Sequence, residues 1–110
     1  MFLPRMHGLA GGSGGPRIIT GTLHALINTL VFGMRADSAV EAPRYHHQWQ
    51  PDKVRVEDGL DDRIIADLVR RGHTVYLYPG SPGIIQVIDC RNGELLGACD
   101  PRKGGRPAGR

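Results

Sequence analysis

The stretch GGSGGPRIITGTLHALINTL, residues 11–30, decides the fold of this 110-residue chain. After the glycines, apolar residues recur at spacings of three and four, which predicts a helix with one apolar face. The residues of this face are Ile19, Leu23, Leu26, Ile27 and Leu30. Pro16 suits the first helical turn, because its missing N–H would have no partner there, and Gly33 is a typical helix stop. The stretch therefore predicts a glycine turn that opens directly into a helix.

The glycine turn itself, GGSGGPR at residues 11–17, has the features of an anion site. Backbone N–H groups at a helix N-terminus lack partners, the helix dipole is positive there, and glycine lets a ligand approach the main chain. No Gly-Lys-Ser/Thr follows, so the turn is not a P-loop, and Arg17 breaks the Gly-x-Gly-x-x-Gly pattern. Two interpretations stay open: a flexible turn, or an oxyanion hole in which the N–H groups of Gly14 and Gly15 meet a developing negative oxygen.

Two more helices are predicted towards the C-terminus. The first is short and begins at Ser38-x-x-Glu41, which has capping-box spacing, and Pro43 ends it. The second runs from Asp61 to Arg71, with acidic residues at the positive end of its dipole and Gly72 as its stop.

Four short strands are predicted, over residues 53–57, 73–78, 84–90 and 94–99. The dipeptide Asn92-Gly93 joins the last two as a tight hairpin. Helices and strands in this order predict an α+β fold or a layered α/β/α arrangement.

The hairpin also places the two cysteines, Cys90 and Cys99. Both thiols fall on one face of the sheet but about 13 Å apart along the ladder, whereas a disulfide needs Cα atoms within about 7 Å. We therefore expect two free and mostly buried thiols, and no metal site at this pair.

Composition and charge exclude several classes of protein. Hydrophobic residues make up 40% of the chain and charged residues 23%, which argues against wholesale disorder. No apolar run approaches the roughly 20 residues of a membrane span, and we do not expect Met1–Leu9 to be a signal peptide. The net charge is +3, but residues 101–110 hold four basic residues, and the remainder has ten basic and eleven acidic residues. The basic tail therefore predicts a solvated terminus and not a nucleic-acid-binding site.

Polar side chains cluster in APRYHHQWQPD, residues 42–52. Its adjacent histidines, His46 and His47, would face opposite ways on an extended chain, so they do not easily ligate one metal. An acid–base role for a histidine stays open. So does a structural role, in which Arg44, Gln48 and their neighbours satisfy buried backbone groups.

The ordered set of motifs resembles the γ-glutamyltransferases, the glutathione hydrolases of the N-terminal-nucleophile hydrolase superfamily, and in particular the C-terminal part of their small subunit. The matching stretches are GGPRIIT (14–20), FGM (32–34), AVEAPRYHHQWQPDKVRVEDGL (39–60), RGH (71–73), LLGACDPRKGG (95–105) and PAG (107–109). The resemblance implies a partial αββα layered sandwich that is incomplete without its upstream part. It divides the chain into a non-matching segment 1–10, the small-subunit part 11–100 and a basic tail 101–110. Pro43, Arg44, His46 and Gln48 belong to its long central motif, as structural residues.

The resemblance also implies an activity. In this family an N-terminal threonine attacks the γ-glutamyl amide of glutathione and related compounds, and the glutamyl group passes to water or to an amino acid or peptide acceptor. A main-chain glycine pair forms part of the oxyanion hole, and the motif match assigns that pair to Gly14 and Gly15. No cofactor and no metal are implied.

Several family features have no counterpart in this sequence. The catalytic threonine lies upstream, and Thr20 and Thr22 fall within the first helix, so no nucleophile is assigned and the isolated chain is expected to be inactive. The substrate-binding residues are unassigned for the same reason. Residues 1–8 do not resemble the strand that enters the glycine turn, Cys99 replaces a serine and Arg110 a tyrosine.

The partners that the resemblance implies are glutathione or other γ-glutamyl compounds, the large subunit, and the N-terminal part of the small subunit. No nucleic acid is implied. Members of the family are periplasmic, extracellular or membrane-tethered, but this chain carries no membrane segment that would indicate its location. Two alternatives to a γ-glutamyltransferase stay open: a related acylase of the same fold, and an inert or binding module without enzymatic activity.

Overall fold

The computed structural model describes residues 7–77, 79–80 and 82–109, with the exception of the His7 side chain. Its helices are α1 (Arg17–Leu30), α2 (Ala36–Glu41) and α3 (Asp62–Arg70). Its strands are β1 (His7–Ser13), β2 (Tyr45–His46), β3 (Val54–Val56), β4 (Val75–Leu77), β5 (Ile84–Arg91) and β6 (Glu94–Ala98). The predicted strand 73–78 is thus present as β4, and its last residue, Tyr78, lies outside the described residues.

The described strands form two small sheets. In one, β5 lies between β1 and β6 and is antiparallel to both. In the other, β3 lies between β2 and β4, antiparallel to the first and parallel to the second. The core joins α1 and α2 to the inner face of the first sheet, through Ala25, Ala36, Val40, Ile85, Val87 and Ala98. The predicted α+β class is confirmed.

The hairpin between β5 and β6 forms as predicted. Asn92 and Gly93 both have positive φ, 51° and 81°, which matches the right-handed twist of the flanking strands. Their register pairs Arg91 with Glu94 and Cys90 with Leu95. Cys90 and Cys99 are free, as expected, but both are half-buried rather than mostly buried.

The ends of α3 are set by local chemistry. Asp61 caps its N-terminus by accepting a hydrogen bond from the Arg63 N–H at 2.8 Å, and Arg70 lies in the last turn. Gly72 follows with φ of 96°. The predicted helix is confirmed to within one residue at each end.

The capping box predicted for α2 is wrong. The helix begins at Ala36 after an extended Arg35, so Ser38 lies inside it. The local acceptor is Asp37 instead, whose Oδ1 accepts from the Ser38 N–H at 2.9 Å. Burial explains the earlier start, because Ala36, Ala39 and Val40 all pack into the core.

Small residues, and not the large apolar face of α1, pack on the sheet. The buried residues of the helix are Gly21, Ala25 and Thr29, whereas Ile19 is 74% exposed. A Cβ on Gly21 would lie 2.7 Å from Cδ1 of Ile85. The helix thus approaches the sheet too closely for a larger residue at this position.

The first strand, β1, was not predicted from the sequence. It pairs with β5 along its whole length, from His7 opposite Cys90 to Ser13 opposite Ile84. Although residues 1–8 do not resemble the strand that enters the glycine turn in the family, His7 and Gly8 form the start of β1. Because glycine has low strand propensity, the sequence HGLAGGS carried no signal. The predicted boundary at residue 10 falls inside β1, and the three-part division of the chain stays a prediction.

The C-terminus of α1 is closed by a side chain from β5. The Arg91 guanidinium donates to the carbonyls of Thr29, Gly33 and Met34 at 3.2, 3.1 and 2.7 Å. Its Nε also donates to the buried Asp89 carboxylate at 2.6 Å. One cation thereby satisfies the Thr29 carbonyl, which the helix end leaves unpaired, together with two carbonyls of the loop that follows α1.

Replacement of Arg91 by alanine is expected to destabilise the chain by about 2 kcal/mol, because several charge-assisted hydrogen bonds are lost and Asp89 remains buried without its cation. Urea unfolding at low micromolar protein concentration measures the effect. The matched control is Arg63→Ala, which removes an ion pair whose cation is 91% exposed and which is therefore expected to cost far less stability. Equal losses for the two variants would contradict the role of Arg91.

Candidate functional site

The glycine turn lies where β1 passes into α1. Gly14 and Gly15 have φ of 132° and 63°, conformations that residues with side chains rarely adopt. Their carbonyls begin the helix: the Arg17 N–H donates to Gly14 O at 3.4 Å and the Ile18 N–H to Gly15 O at 3.1 Å. The turn is therefore an ordered connection from β1 to α1, in which the carbonyls of both glycines accept hydrogen bonds from the first residues of the helix.

The N–H groups of Gly14 and Gly15 have no hydrogen-bond partner among residues 7–77, 79–80 and 82–109. Gly15 is exposed, and a Cβ on it would meet no atom within 4 Å. The pair thus combines unpaired donors, an open approach and the positive end of the α1 dipole. Such a site can hold an anion or a developing oxyanion.

Arg44 lies behind the turn, in the core. Its side chain is 2% exposed and forms an ion pair with Asp100, which is itself fully buried. The guanidinium also donates to Val40 O at 2.9 Å and to Gly83 O at 3.1 Å. Arg44 therefore connects α2, the C-terminal segment and the chain that enters β5.

His46 connects β2 to α1. The Gln48 amide donates to Gln50 O at 2.8 Å, which fixes its orientation, so its Oε1 accepts from Nε2–H of His46 at 2.9 Å. Nδ1 of His46 is then the acceptor for the Thr20 hydroxyl at 2.6 Å. Since His46 is only 2% exposed, this imidazole has no open face for a ligand.

The four residues of the predicted motif lie in different environments. Arg44 and His46 are buried and reach the segments around the glycine turn, whereas Pro43 and Gln48 are exposed. The neighbouring His47 points elsewhere and bonds Asp52 at 2.9 Å. The sequence motif is thus spread over a structural network rather than gathered at one surface.

Sequence reasoning did not identify the residues that pair with this network. Asp100 accepts from Arg44, from the Ile85 N–H at 2.8 Å and from the Arg102 N–H at 3.0 Å. Arg102 also forms ion pairs with Glu57 and Asp100, and its side chain is 15% exposed. The prediction of a solvated basic terminus is therefore wrong for Arg102, although Lys103 and Arg106 are exposed. The one available signal was the match of Asp100-Pro101-Arg102 to the family pattern.

Two titratable groups near the site are shifted by their surroundings. Burial on its own raises the pKa of Asp100, but the hydrogen bonds from Arg44, Ile85 and Arg102 outweigh it and hold the pKa below the ordinary value of 3.8. Burial lowers the pKa of His24, and the positive charge of Arg44 adds to that effect.

Within the described ranges, no group of three or more histidine, cysteine, aspartate or glutamate residues is arranged to hold a metal ion. The same part of the chain contains no helix with the length and apolar character that a bilayer span requires.

Solved structures share this arrangement of helices and sheets. An acivicin-inhibited γ-glutamyltranspeptidase superposes with a TM-score of 0.80 at 34% identity, over 87% of this chain and 53% of its own. The cephalosporin acylase from Bacillus halodurans also gives 0.80, at 31% identity, over 88% of this chain and 19% of its own. The fold is therefore part of the layered sandwich of the N-terminal-nucleophile hydrolases.

Sequence comparison narrows the class to one family. The sequence model of the γ-glutamyltranspeptidase family matches residues 4–110. The glutathione hydrolase proenzyme of Escherichia coli K12 is 38% identical over 94 residues, which are 86% of this chain and 16% of that relative. The chain belongs to the γ-glutamyltranspeptidase family, and the predicted resemblance is confirmed. It spans about one sixth of the length of this curated relative.

Proposed function

We propose that the chain is the C-terminal part of the small subunit of a γ-glutamyltransferase. The enzyme cleaves the γ-glutamyl amide of glutathione and related compounds, and it transfers the glutamyl group to water or to an amino acid or peptide acceptor. This chain supplies the oxyanion hole through Gly14 and Gly15. The observation that carries the proposal is the pair of N–H groups at the start of α1 that have no partner among the described residues, in a chain of this family.

The role of the two N–H groups follows from the charge that develops during the reaction. A threonine hydroxyl attacks the γ-carbonyl carbon and gives its proton to the threonine's own amine. The C–O bond forms, and the carbonyl oxygen becomes negative. Two main-chain donors directed at that oxygen stabilise the tetrahedral intermediate. When the intermediate collapses, the C–N bond breaks, the leaving amine takes a proton, and a γ-glutamyl ester remains. Water or an acceptor amine then attacks the same carbon, and the same two donors stabilise the second oxyanion. The ester C–O bond breaks, and the threonine oxygen regains its proton.

The nucleophile comes from another stretch of polypeptide. Thr20 and Thr22 lie within α1, downstream of the glycines. The Thr20 hydroxyl donates to Nδ1 of His46, and the Thr22 hydroxyl is buried. These positions do not offer a hydroxyl to a carbonyl bound at the turn, so we expect the chain to be inactive alone.

Exposed apolar surfaces support docking against the rest of the enzyme. On α1 and just after it, Ile19, Val31 and Phe32 are at least 70% exposed. On the outer face of the β1–β5–β6 sheet, Leu9 and Leu95 are 72% and 74% exposed. Apolar patches of this kind are typical of surfaces that another polypeptide covers. The partners that we propose for them are the large subunit and the N-terminal part of the small subunit.

A complementation assay tests the proposed division of labour. The purified chain is expected to give no hydrolysis of a chromogenic γ-glutamyl anilide above the buffer background. Activity is expected when the chain is co-expressed with an E. coli glutathione hydrolase that lacks the matching 94 residues. Turnover by the chain alone would refute the division, and so would a folded complex without activity. Gly72→Ala is the control for substitutions at the glycine turn in this assay, because Gly72 is exposed and remote in sequence from the turn. The complex that carries it is expected to keep its activity.

A related acylase is the second candidate, and the similarity to the cephalosporin acylase favours it. The two candidates differ in substrate, a cephalosporin side-chain amide for the acylase and a γ-glutamyl amide for the transferase. Parallel assays of the complex with a cephalosporin and with a γ-glutamyl anilide separate them. We expect the γ-glutamyl substrate to be preferred.

An inert module, by contrast, would be monomeric and fold cooperatively by itself. The exposed apolar surfaces predict self-association of the isolated chain instead. Size-exclusion chromatography together with thermal melting distinguishes the two.

A further inference from the structure

A third glycine, Gly83, packs against the back of the turn. A Cβ on Gly14 would lie 2.9 Å from Cα of Gly83 and 3.7 Å from its nitrogen. Gly83 is buried, and it precedes β5 directly. The two backbones are therefore in closer contact than any residue with a side chain at position 14 would allow.

Gly83 is itself anchored to the core. Its carbonyl accepts from Nη1 of Arg44 at 3.1 Å, and Arg44 is fixed by Val40 O and the buried Asp100. On the other side, a Cβ on Gly83 would lie 3.3 Å from Ser13 O and 3.4 Å from Arg17 O. Gly83 thus fills the space between the end of β1 and the first turn of α1.

We propose that Gly83 is a positioning residue for the oxyanion hole: its backbone forms a rigid support that fixes the direction of the Gly14 N–H. This inference rests on the proposed function. Gly14 has no side chain to restrain it, and glycine has wide conformational freedom, so an N–H that must point at one oxygen needs support from outside the turn. The hydrogen bond from Nε of Arg17 to Gly14 O, at 3.1 Å, holds the carbonyl, and the Gly83 contact limits movement of the Cα.

Gly83→Ala tests the support. The added Cβ is tight against both neighbouring carbonyls and lies on a residue with φ of 112°, so we expect the turn to shift. In the co-expressed complex, kcat for the γ-glutamyl anilide is expected to fall about tenfold or more while KM changes less than about twofold, because the oxyanion exists only in the transition state. A rise in KM at constant kcat would overturn the proposal.

Gly72→Ala is the matched control, because it imposes a similar backbone strain at φ of 96° with no atom within 4 Å of the new Cβ. It is expected to leave kcat unchanged, and equal losses for the two variants would also overturn the proposal. Urea unfolding of the purified complex guards against simple unfolding, because it shows whether Gly83→Ala is folded under the conditions of the assay. We expect this variant to be folded in the complex and still to lose kcat.

Hydrogen–deuterium exchange separates this inference from the proposed function. Exchange of a peptide covering residues 13–18 is expected to change in Gly83→Ala and not in Gly72→Ala, whatever the substrate. An unchanged peptide would refute positioning even in an active enzyme. If the folded wild-type complex never cleaves the γ-glutamyl anilide, the proposed function is refuted. The positioning role of Gly83 would still hold if exchange of this peptide changes in Gly83→Ala.

Discussion

Replacement of Gly14 by alanine is expected to lower kcat of the complemented enzyme by about 10²-fold, the effect of losing one oxyanion-hole donor. The alanine retains its N–H, but it cannot hold the present geometry. Its Cβ would lie 2.9 Å from Cα of Gly83, and φ at this position is 132°. The backbone must therefore turn, and the N–H is redirected. Steady-state assays with the γ-glutamyl anilide measure the loss, and KM should change little.

Gly33→Ala is the control for Gly14→Ala. Gly33 lies beyond the other end of α1 with φ of 67°, and its added Cβ would meet no atom within 4 Å. It is expected to destabilise the chain by about 1 kcal/mol through backbone strain alone and to leave kcat unaltered. A Gly14→Ala enzyme with wild-type kcat would remove the basis for an oxyanion hole at this turn.

Replacement of Asp100 by alanine is expected to destabilise the folded state by about 3–5 kcal/mol, the cost of leaving a buried cation without its partner. Arg44 is 2% exposed and Asp100 is the carboxylate to which it bonds directly. The Ile85 N–H, which donates to Asp100 at 2.8 Å, loses its acceptor as well. Urea unfolding of the complemented enzyme measures the change. Asp52→Ala is the control, because the Asp52 carboxylate, which contacts His47, is 86% exposed and its loss is expected to cost far less stability.

The same residue predicts a dependence of stability on pH. Because folding lowers the pKa of Asp100 below 3.8, the folded state favours the ionised carboxylate. Its contribution to stability is therefore fully present above pH 3.8 and is lost as the pH falls through the lower pKa of the folded state. The difference in unfolding free energy between the wild type and Asp100→Asn should shrink below that pH. A constant difference between pH 7 and pH 3 would show that the carboxylate charge does not stabilise the fold.

Several features of this protein were predictable because they depend on residues close together in the chain. Asn92-Gly93 specifies a hairpin through the positive φ of both residues. Asp61 and Gly72 mark the ends of α3 by a side-chain cap and a positive φ. The family and its class of fold were predictable from the order and spacing of motifs. Gly14 and Gly15 were identified as a candidate oxyanion hole in the same way, and the turn and helix that they require are present.

Other features depend on contacts between distant segments, and no local pattern indicates them. The strand β1 exists because β5 pairs with it. The helix α1 buries Gly21 and Ala25, and a Cβ on Gly21 would lie 2.7 Å from Cδ1 of Ile85. Asp100 meets Arg44 across 56 positions of sequence. Turns and caps depend on hydrogen bonds and backbone angles of residues that are neighbours in sequence, so the sequence alone predicts them. Burial, strand pairing and the contact of Gly83 with Gly14 depend on segments that are distant in sequence, and only the folded chain brings these segments together.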